Sequence, residues 1–229
     1  FKQKTAYEIS LGLVGSEMCI RDRLQALSSS SSTPMVRVPW YEPGIIMRML
    51  DLGVLGIIAP MINTKEDCEK FVSYCYYPPI GQRSFGPMRA QLIHGSSYFE
   101  KANENILSFA MIETQEAVDN LDEILSVPSL TGVYIGPADM SVSYGMKPKF
   151  DVKEDPVFSN IKLIAKKANE KGKIAGIHNG TTQYAKEMID IGFKLVTISS
   201  DFRSMSAHAQ SVIDDMKEKT KNSNSTEAY

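Results

Sequence analysis

Residues 130–145 read LTGVYIGPADMSVSYG. Val133, Tyr134 and Ile135 form a short apolar run of strand-forming residues, and Gly136, Pro137, Ala138 and Asp139 end it abruptly. Five further runs share this form: Met35–Pro39, Gly56–Met61, Leu107–Glu113, Ile174–His178 and Leu195–Ser199, with Gly132–Gly136 as the fourth in chain order. The segments between them have helical spacing. Ile45, Ile46, Met49 and Leu50 precede a stop at Gly53, and Ala117, Val118, Leu121, Ile124 and Leu125 follow Thr114. Thr64 with Asp67, and Thr114 ahead of Gln115 and Glu116, have the form of helix N-caps with acidic first turns. Short apolar strands alternating with amphipathic helices predict an α/β protein built on a parallel sheet.

At 229 residues the chain has the length of one α/β barrel domain. Hydrophobic residues make up 43% and the net charge is −2, which gives no electrostatic argument for a nucleic-acid or membrane partner. Cys19, Cys68 and Cys75 form no CxxC pair, so neither structural zinc nor a disulfide framework is indicated, and a reducing, cytoplasmic setting is expected. No apolar stretch reaches the roughly 20 residues that span a bilayer. Residues 1–32 open on Phe1, show no hydrophobic period that leads into the first strand and end in Ser28 to Ser32; they are expected to be an adapter-derived or linker segment outside the fold. The folded domain is expected over 33–217, with 218–229 a flexible polar tail. The long connection from Tyr76 to Asn105, rich in Pro and Gly and carrying Arg83 and Arg89, is expected to form a flap over the site.

In parallel α/β sheets the chemistry collects at the carboxyl ends of the strands. The run LSFAMIET ends in Glu113, and GVYIGPAD ends in Asp139 one turn later. Two carboxylates brought together from neighbouring strands either share a proton or hold a cation. An oxygen-only pair without His or Cys favours a hard ion, Mg²⁺ with Mn²⁺ or Co²⁺ as variants. The first strand supplies Arg37, whose guanidinium suits an oxyanion, and the peptide N–H groups available in the Gly136 to Asp139 turn suit a substrate carboxylate. A Schiff-base enzyme would need a lysine inside a strand, whereas Lys173 and Lys194 lie at amino-terminal ends.

Four stretches, VRVPWYEPGIIMRMLDLGVLGIIAPMINTKEDCEKFV, YYPPIGQRSFGPMRA, MIETQEAVDNLDEIL and GVYIGPADMSVSYG, resemble in order and spacing the HpcH/HpaI aldolase family. That family includes 4-hydroxy-2-oxoheptane-1,7-dioate aldolase and 2-keto-3-deoxy sugar acid aldolases. The resemblance runs from about Thr33 to about Lys217 and implies a (β/α)₈ TIM barrel, of which six strands, β3 to β8 of the family barrel, are recognisable. It implies a metal-dependent aldolase that reversibly cleaves a 4-hydroxy-2-oxo acid into pyruvate and an aldehyde through a metal-bound pyruvate enolate. By the same resemblance Glu113 and Asp139 are metal ligands and Arg37 stabilises the enolate. Asp51 partners a catalytic histidine, Gly136, Pro137 and Ala138 contact substrate, and Met111 stands where relatives often carry a substrate-orienting glutamine.

The family's first two strands and its catalytic histidine have no counterpart before His94, so an N-terminally incomplete chain is expected. Neither His94 nor His178 matches the family position; His178 ends a strand, where two roles are open, lining the pocket or serving as a hydrogen-bonded structural residue. Two other functions are consistent with the same residues: a citrate-lyase-type CoA ester lyase, for which no distinct CoA-binding feature is visible but which Arg83 and Arg89 leave open, and a non-catalytic scaffold. The resemblance also implies a homo-oligomer in which residues 204–217 pack on a neighbour.

Overall fold

The computed structural model describes residues 17–224 of the chain, with the side-chain surroundings of residues 22–217. The remainder of the expected adapter segment, 1–16, and the last tail residues, 225–229, lie outside the described residues. The chain divides into two compact units, one ending at Ile198 and the other beginning at Ser199.

In the first unit, helix α1 (Glu17–Leu27) precedes strand β1 (Met35–Arg37), α2 (Pro43–Asp51), β2 (Gly56–Ala59) and α3 (Lys65–Cys75). Then come α4 (Met88–His94), α5 (Tyr98–Asn105), β3 (Leu107–Ile112), α6 (Gln115–Asp119), α7 (Leu121–Leu125), β4 (Gly132–Ile135) and α8 (Pro137–Ser143). The unit closes with α9 (Val157–Glu170), β5 (Ile174–Asn179), α10 (Thr182–Ile191) and β6 (Leu195–Ile198). The strands form one 6-stranded sheet in the order β1-β2-β3-β4-β5-β6, and every neighbouring pair is parallel. This curled half-barrel bears out the α/β barrel-type fold.

Both faces of the sheet are covered, which is why the strands read as continuous apolar runs instead of alternating ones. Along β3, Ala110 and Ile112 join the main core under the helices, while Phe109 and Met111 turn to the inside of the curl. There they meet Met35, Ile58, Tyr134 and Leu195. Proline ends the β1–β2 ladder: Val38 still donates to the Ile58 carbonyl at 3.0 Å, but Pro60 has no N–H to donate in return, and β2 ends at Ala59. The helix starts agree with the caps expected from the sequence. Thr64 and Asp67 form a reciprocal capping box on α3, and Thr114 Oγ1 accepts from the Ala117 N–H.

Two expectations meet a different structure. Residues 17–27 of the segment set apart from the fold form α1, and Leu24 within it is buried in the main core. The connection from Tyr76 to Asn105 is no flap over the carboxyl ends of the strands. It contains α4 and α5, and it is tied to the chain entering β2, where Arg89 donates to the Leu52 carbonyl and His94 Nε2 lies 2.9 Å from the Gly53 oxygen. Burial of Arg83 draws it there, because a guanidinium taken out of water needs a fixed anion.

The second unit is helix α11 (Asp201–Asn224), which takes in residues 218–224 of the expected tail. Phe202, Met205, Val212, Ile213 and Met216 on it are exposed. Among the described residues no helix is long and apolar enough to cross a membrane.

Candidate active site

Glu113 follows directly on β3 and is 1% exposed. A carboxylate buried to that extent needs a reason, since the charged form loses its water. One oxygen is accounted for: Oε1 accepts from the Met61 N–H at 2.8 Å. Met61 stands just after β2 with φ of 55°, a left-handed conformation that a residue with a side chain seldom adopts, and the bond it makes is what that backbone achieves. The other oxygen, Oε2, is buried without a hydrogen-bond partner.

The space around Oε2 depends on Gly136. A Cβ at that position would lie 2.6 Å from Glu113 Oε2 and 2.9 Å from Met111 Cε, so only glycine lets the end of β4 come this close. Pro137 then starts α8, placing Asp139 in its first turn, and Ser141 donates to the Pro137 carbonyl at 2.7 Å. Burial raises the pKa of Glu113 above the usual carboxylate value. The Met61 N–H opposes that rise, the negative charge of Asp139 adds to it, and the positive charge of Arg37 opposes it. Asp139 and Arg37 therefore lie within electrostatic reach of Glu113, and Gly136 passes close to its carboxylate.

These residues fit a hard divalent cation. A buried carboxylate oxygen with no donor, beside a second carboxylate, is what such an ion would satisfy. Among the described residues no group of three or more His, Cys, Asp or Glu side chains could hold a metal alone, so remaining positions would fall to water and substrate oxygens. Asn63 braces the rim: its side-chain oxygen accepts from Thr114 Oγ1 at 2.6 Å and its backbone carbonyl from Asn120 at 2.9 Å.

Asp51 is not part of this group. Helix α2 carries the chain from the carboxyl end of β1 back to the amino end of β2, so Asp51, its last residue, lies at the opposite end of the sheet. There Arg83 donates to Asp51 Oδ1 at 2.7 Å and to the Tyr98 hydroxyl at 3.1 Å, with its guanidinium 4.4 Å from the Tyr77 ring centre. Among the described residues the partner of Asp51 is a fully buried arginine.

Sequence reasoning missed Met61, because its contribution is a backbone N–H and no side-chain motif marks it. It also missed a polar cluster inside the curl, where His178 Nδ1 lies 2.9 Å from Thr197 Oγ1 and the Tyr134 hydroxyl bonds the same Thr197 oxygen. The inward positions of β4 to β6 were the available signal. Lys173, by contrast, donates to the carbonyls of Val127, Pro128 and Leu130 at the amino end of β5, as an anchor of the fold.

A family model described as HpcH/HpaI aldolase/citrate lyase matches residues 18–207. Hydroxypyruvate/pyruvate aldolase of Rhizorhabdus wittichii is 41% identical over 194 residues, covering 85% of this chain and 77% of that protein. The 5-keto-4-deoxy-D-glucarate aldolase of Escherichia coli is 32% identical over 197 residues, covering 85% and 76%. Among solved structures, an HpcH/HpaI aldolase/citrate lyase family protein from Burkholderia cenocepacia has a TM-score of 0.79 at 25% identity, covering 86% of this chain and 79% of that one. An HpcH/HpaI aldolase from Desulfitobacterium hafniense shares the fold with a TM-score of 0.82 at 21% identity, covering 90% and 80%.

Proposed function

This chain belongs to the HpcH/HpaI aldolase/citrate lyase family of carbon–carbon lyases, and on that premise we propose that it reversibly cleaves a 4-hydroxy-2-oxo acid into pyruvate and an aldehyde. The observation that carries the reading is Glu113 Oε2, buried and unpartnered beneath Gly136 and within the fields of Asp139 and Arg37. Glu113 and Asp139 would hold a divalent cation, Mg²⁺ first and Mn²⁺ or Co²⁺ next, by their hard oxygen chemistry. When bound, that ion supplies Lewis acidity to the carboxylate and keto oxygens of the oxo acid.

The protein's own groups do the rest. Met61 fixes Glu113 through Oε1, which leaves Oε2 for the cation side. Arg37 sets a permanent positive charge where negative charge gathers on the keto oxygen as the bond between C3 and C4 breaks. The N–H groups of Gly136, Ala138 and Asp139 receive the substrate carboxylate, with Pro137 shaping the turn between them, and Met111 walls the oxo-acid side with an apolar surface. Burial of Glu113 keeps water from competing for its carboxylate. A covalent imine with lysine has no support among the described residues, where no lysine is buried.

A CoA ester substrate loses its two candidate contacts, since Arg83 is buried against Asp51 and Arg89 is bonded to Leu52. Exposed apolar residues on α11 support a homo-oligomer, with residues 204–217 against a second copy. The test of the function is proton NMR of pyruvate in D₂O with Mg²⁺, comparing the parent with Glu113→Gln. Exchange of the methyl protons that requires the cation and disappears in the variant is expected. A folded parent that shows no exchange would favour a scaffold without turnover.

A further inference from the structure

The last paired position of β2 and β3 is Ala59 with Ala110, and beyond it side chains join the two strand ends. The Met61 N–H donates to Glu113 Oε1 at 2.8 Å. Two residues further along, Asn63 Oδ1 accepts at 2.6 Å from the hydroxyl of Thr114, the neighbour of Glu113 in the chain. The Asn63 carbonyl accepts from Asn120 Nδ2 at 2.9 Å, which ties the same residue to the N-cap of α7. The protons fix the direction of the bond between Asn63 and Thr114. Thr114 Oγ1 already accepts the Ala117 N–H at 3.0 Å as the N-cap of α6, and its own proton needs an acceptor, so the amide oxygen of Asn63 faces it.

Met61 needs such a hold. Its φ of 55° is unfavourable for a residue with a Cβ, and a backbone of this kind persists where its surroundings over-determine it. Ile62, the next residue, is buried in the main core, and Asn63 beyond it is bonded through both its side-chain and its backbone oxygen. Packing thus holds the middle of the turn, and Asn63 holds its far end. Because Thr114 is covalently next to Glu113, the bond between Asn63 and Thr114 also sets how the Met61 N–H meets the Glu113 carboxylate. Without that bond Met61 can relax toward an ordinary φ, its N–H leaves Oε1, and the carboxylate is free to turn.

We infer that Asn63 and Thr114 are a pair of positioning residues that act through the Met61 N–H to hold Glu113 in the orientation that receives a divalent cation. The inference rests on the cation-dependent function proposed above. Oε1 stays engaged by Met61, so Oε2, which has no hydrogen-bond partner, keeps its aim. Groups that orient a metal ligand in this way bear on the affinity of the site as the ligand itself does.

Isothermal titration calorimetry with Mg²⁺, beside urea midpoints in chelator, is to compare the parent with Asn63→Ala, Thr114→Val, Thr114→Ser and Glu113→Gln. Asn63→Ala keeps the backbone carbonyl for Asn120 and the Thr114 cap on α6, so it removes the bond with the least other change. The Mg²⁺ Kd is expected to rise by about tenfold or more in Asn63→Ala and Thr114→Val, and to stay within about threefold in Thr114→Ser, which keeps the hydroxyl. The double variant Asn63→Ala with Thr114→Val is expected to match the single ones, since each removes the same bond. Should Thr114→Val fail to fold with its α6 cap gone, Asn63→Ala carries the test. A parental Kd in Asn63→Ala, beside a Glu113→Gln protein that no longer binds, overturns the positioning role and leaves the aldolase function standing. Equal weakening in Thr114→Ser and Thr114→Val overturns it as well, because the hydroxyl is then not the cause. A parent that does not bind Mg²⁺ removes the cation-dependent function and this inference with it.

Discussion

Gly136→Ala tests the close approach on which the site is built. Gly136 has φ of −98° and ψ of 89°, a backbone that alanine tolerates, so the effect of the substitution comes from contacts alone. The added methyl would lie 2.6 Å from Glu113 Oε2 and 2.9 Å from Met111 Cε. Met111 can move its flexible end. Glu113 cannot do so freely, because Oε1 is bound to the Met61 N–H and the residue is 1% exposed. Overpacking of this kind costs about 1–3 kcal/mol. For a domain of this size each kcal/mol moves the melting temperature by about 2–4 °C. A drop of roughly 2–12 °C is therefore expected in chelator. The parent should gain stability with cation, by about 2.7 kcal/mol at a hundredfold excess over Kd, and the variant should gain little. Thermal unfolding by circular dichroism, with chelator and with Mg²⁺, reads both quantities. Gly145→Ala is the control: its φ of 72° makes it strained, but nothing lies within 4 Å of the added methyl, so it should lower the melting temperature and keep the Mg²⁺ response. A Gly136→Ala protein with parental melting temperature and parental Mg²⁺ response would refute the steric reasoning.

The same contacts set three more outcomes. The raised value of Glu113 means that the folded chain keeps a proton there after the unfolded chain has lost it; stability is thus lost as pH rises from the ordinary carboxylate value through the raised one. Glu113→Gln in chelator should remove that decline, read as the difference between parent and variant urea midpoints from pH 4 to pH 7 in about half-unit steps. Asp51→Ala leaves Arg83 buried without its anion and should cost about 3 kcal/mol, the low end for a broken buried pair because Asp51 keeps 29% exposure. Since that pair lies at the other end of the sheet, pyruvate exchange per folded molecule should survive. Arg37→Ala should slow exchange by roughly a hundredfold or more with little change in urea midpoint, the size of effect seen when one fixed electrostatic donor is removed.

The sheet was legible because its strands are short apolar runs punctuated by Gly and Pro, and Pro60 and the Gly136-Pro137 pair follow directly on the ends of β2 and β4. The positions of Glu113, Asp139 and Arg37 at strand ends were legible because each ends or closely follows an apolar strand run. What could not be read depends on pairings far apart in sequence. Arg83 and Asp51 are 32 residues apart, and only the folded chain shows that the long connection between β2 and β3 turns back to the amino end of the sheet. Met61 contributes a backbone N–H from an unusual conformation, which no residue type announces. The cluster of Tyr134, His178 and Thr197 needs the strand register, and a slip of one residue would send His178 to the opposite face. The helix at Glu17–Leu27 lacked a clear hydrophobic period, yet Leu24 on it is buried in the main core.

The most direct test of the central claim is carbon NMR of 2-¹³C-pyruvate incubated with glycolaldehyde, the protein and Mg²⁺, with parallel samples in chelator and with Asp139→Asn. A new 4-hydroxy-2-oxo acid signal that requires both the cation and Asp139 is the predicted result. Product formed equally in chelator, or equally by the variant, would contradict a cation held by Glu113 and Asp139 as the basis of catalysis.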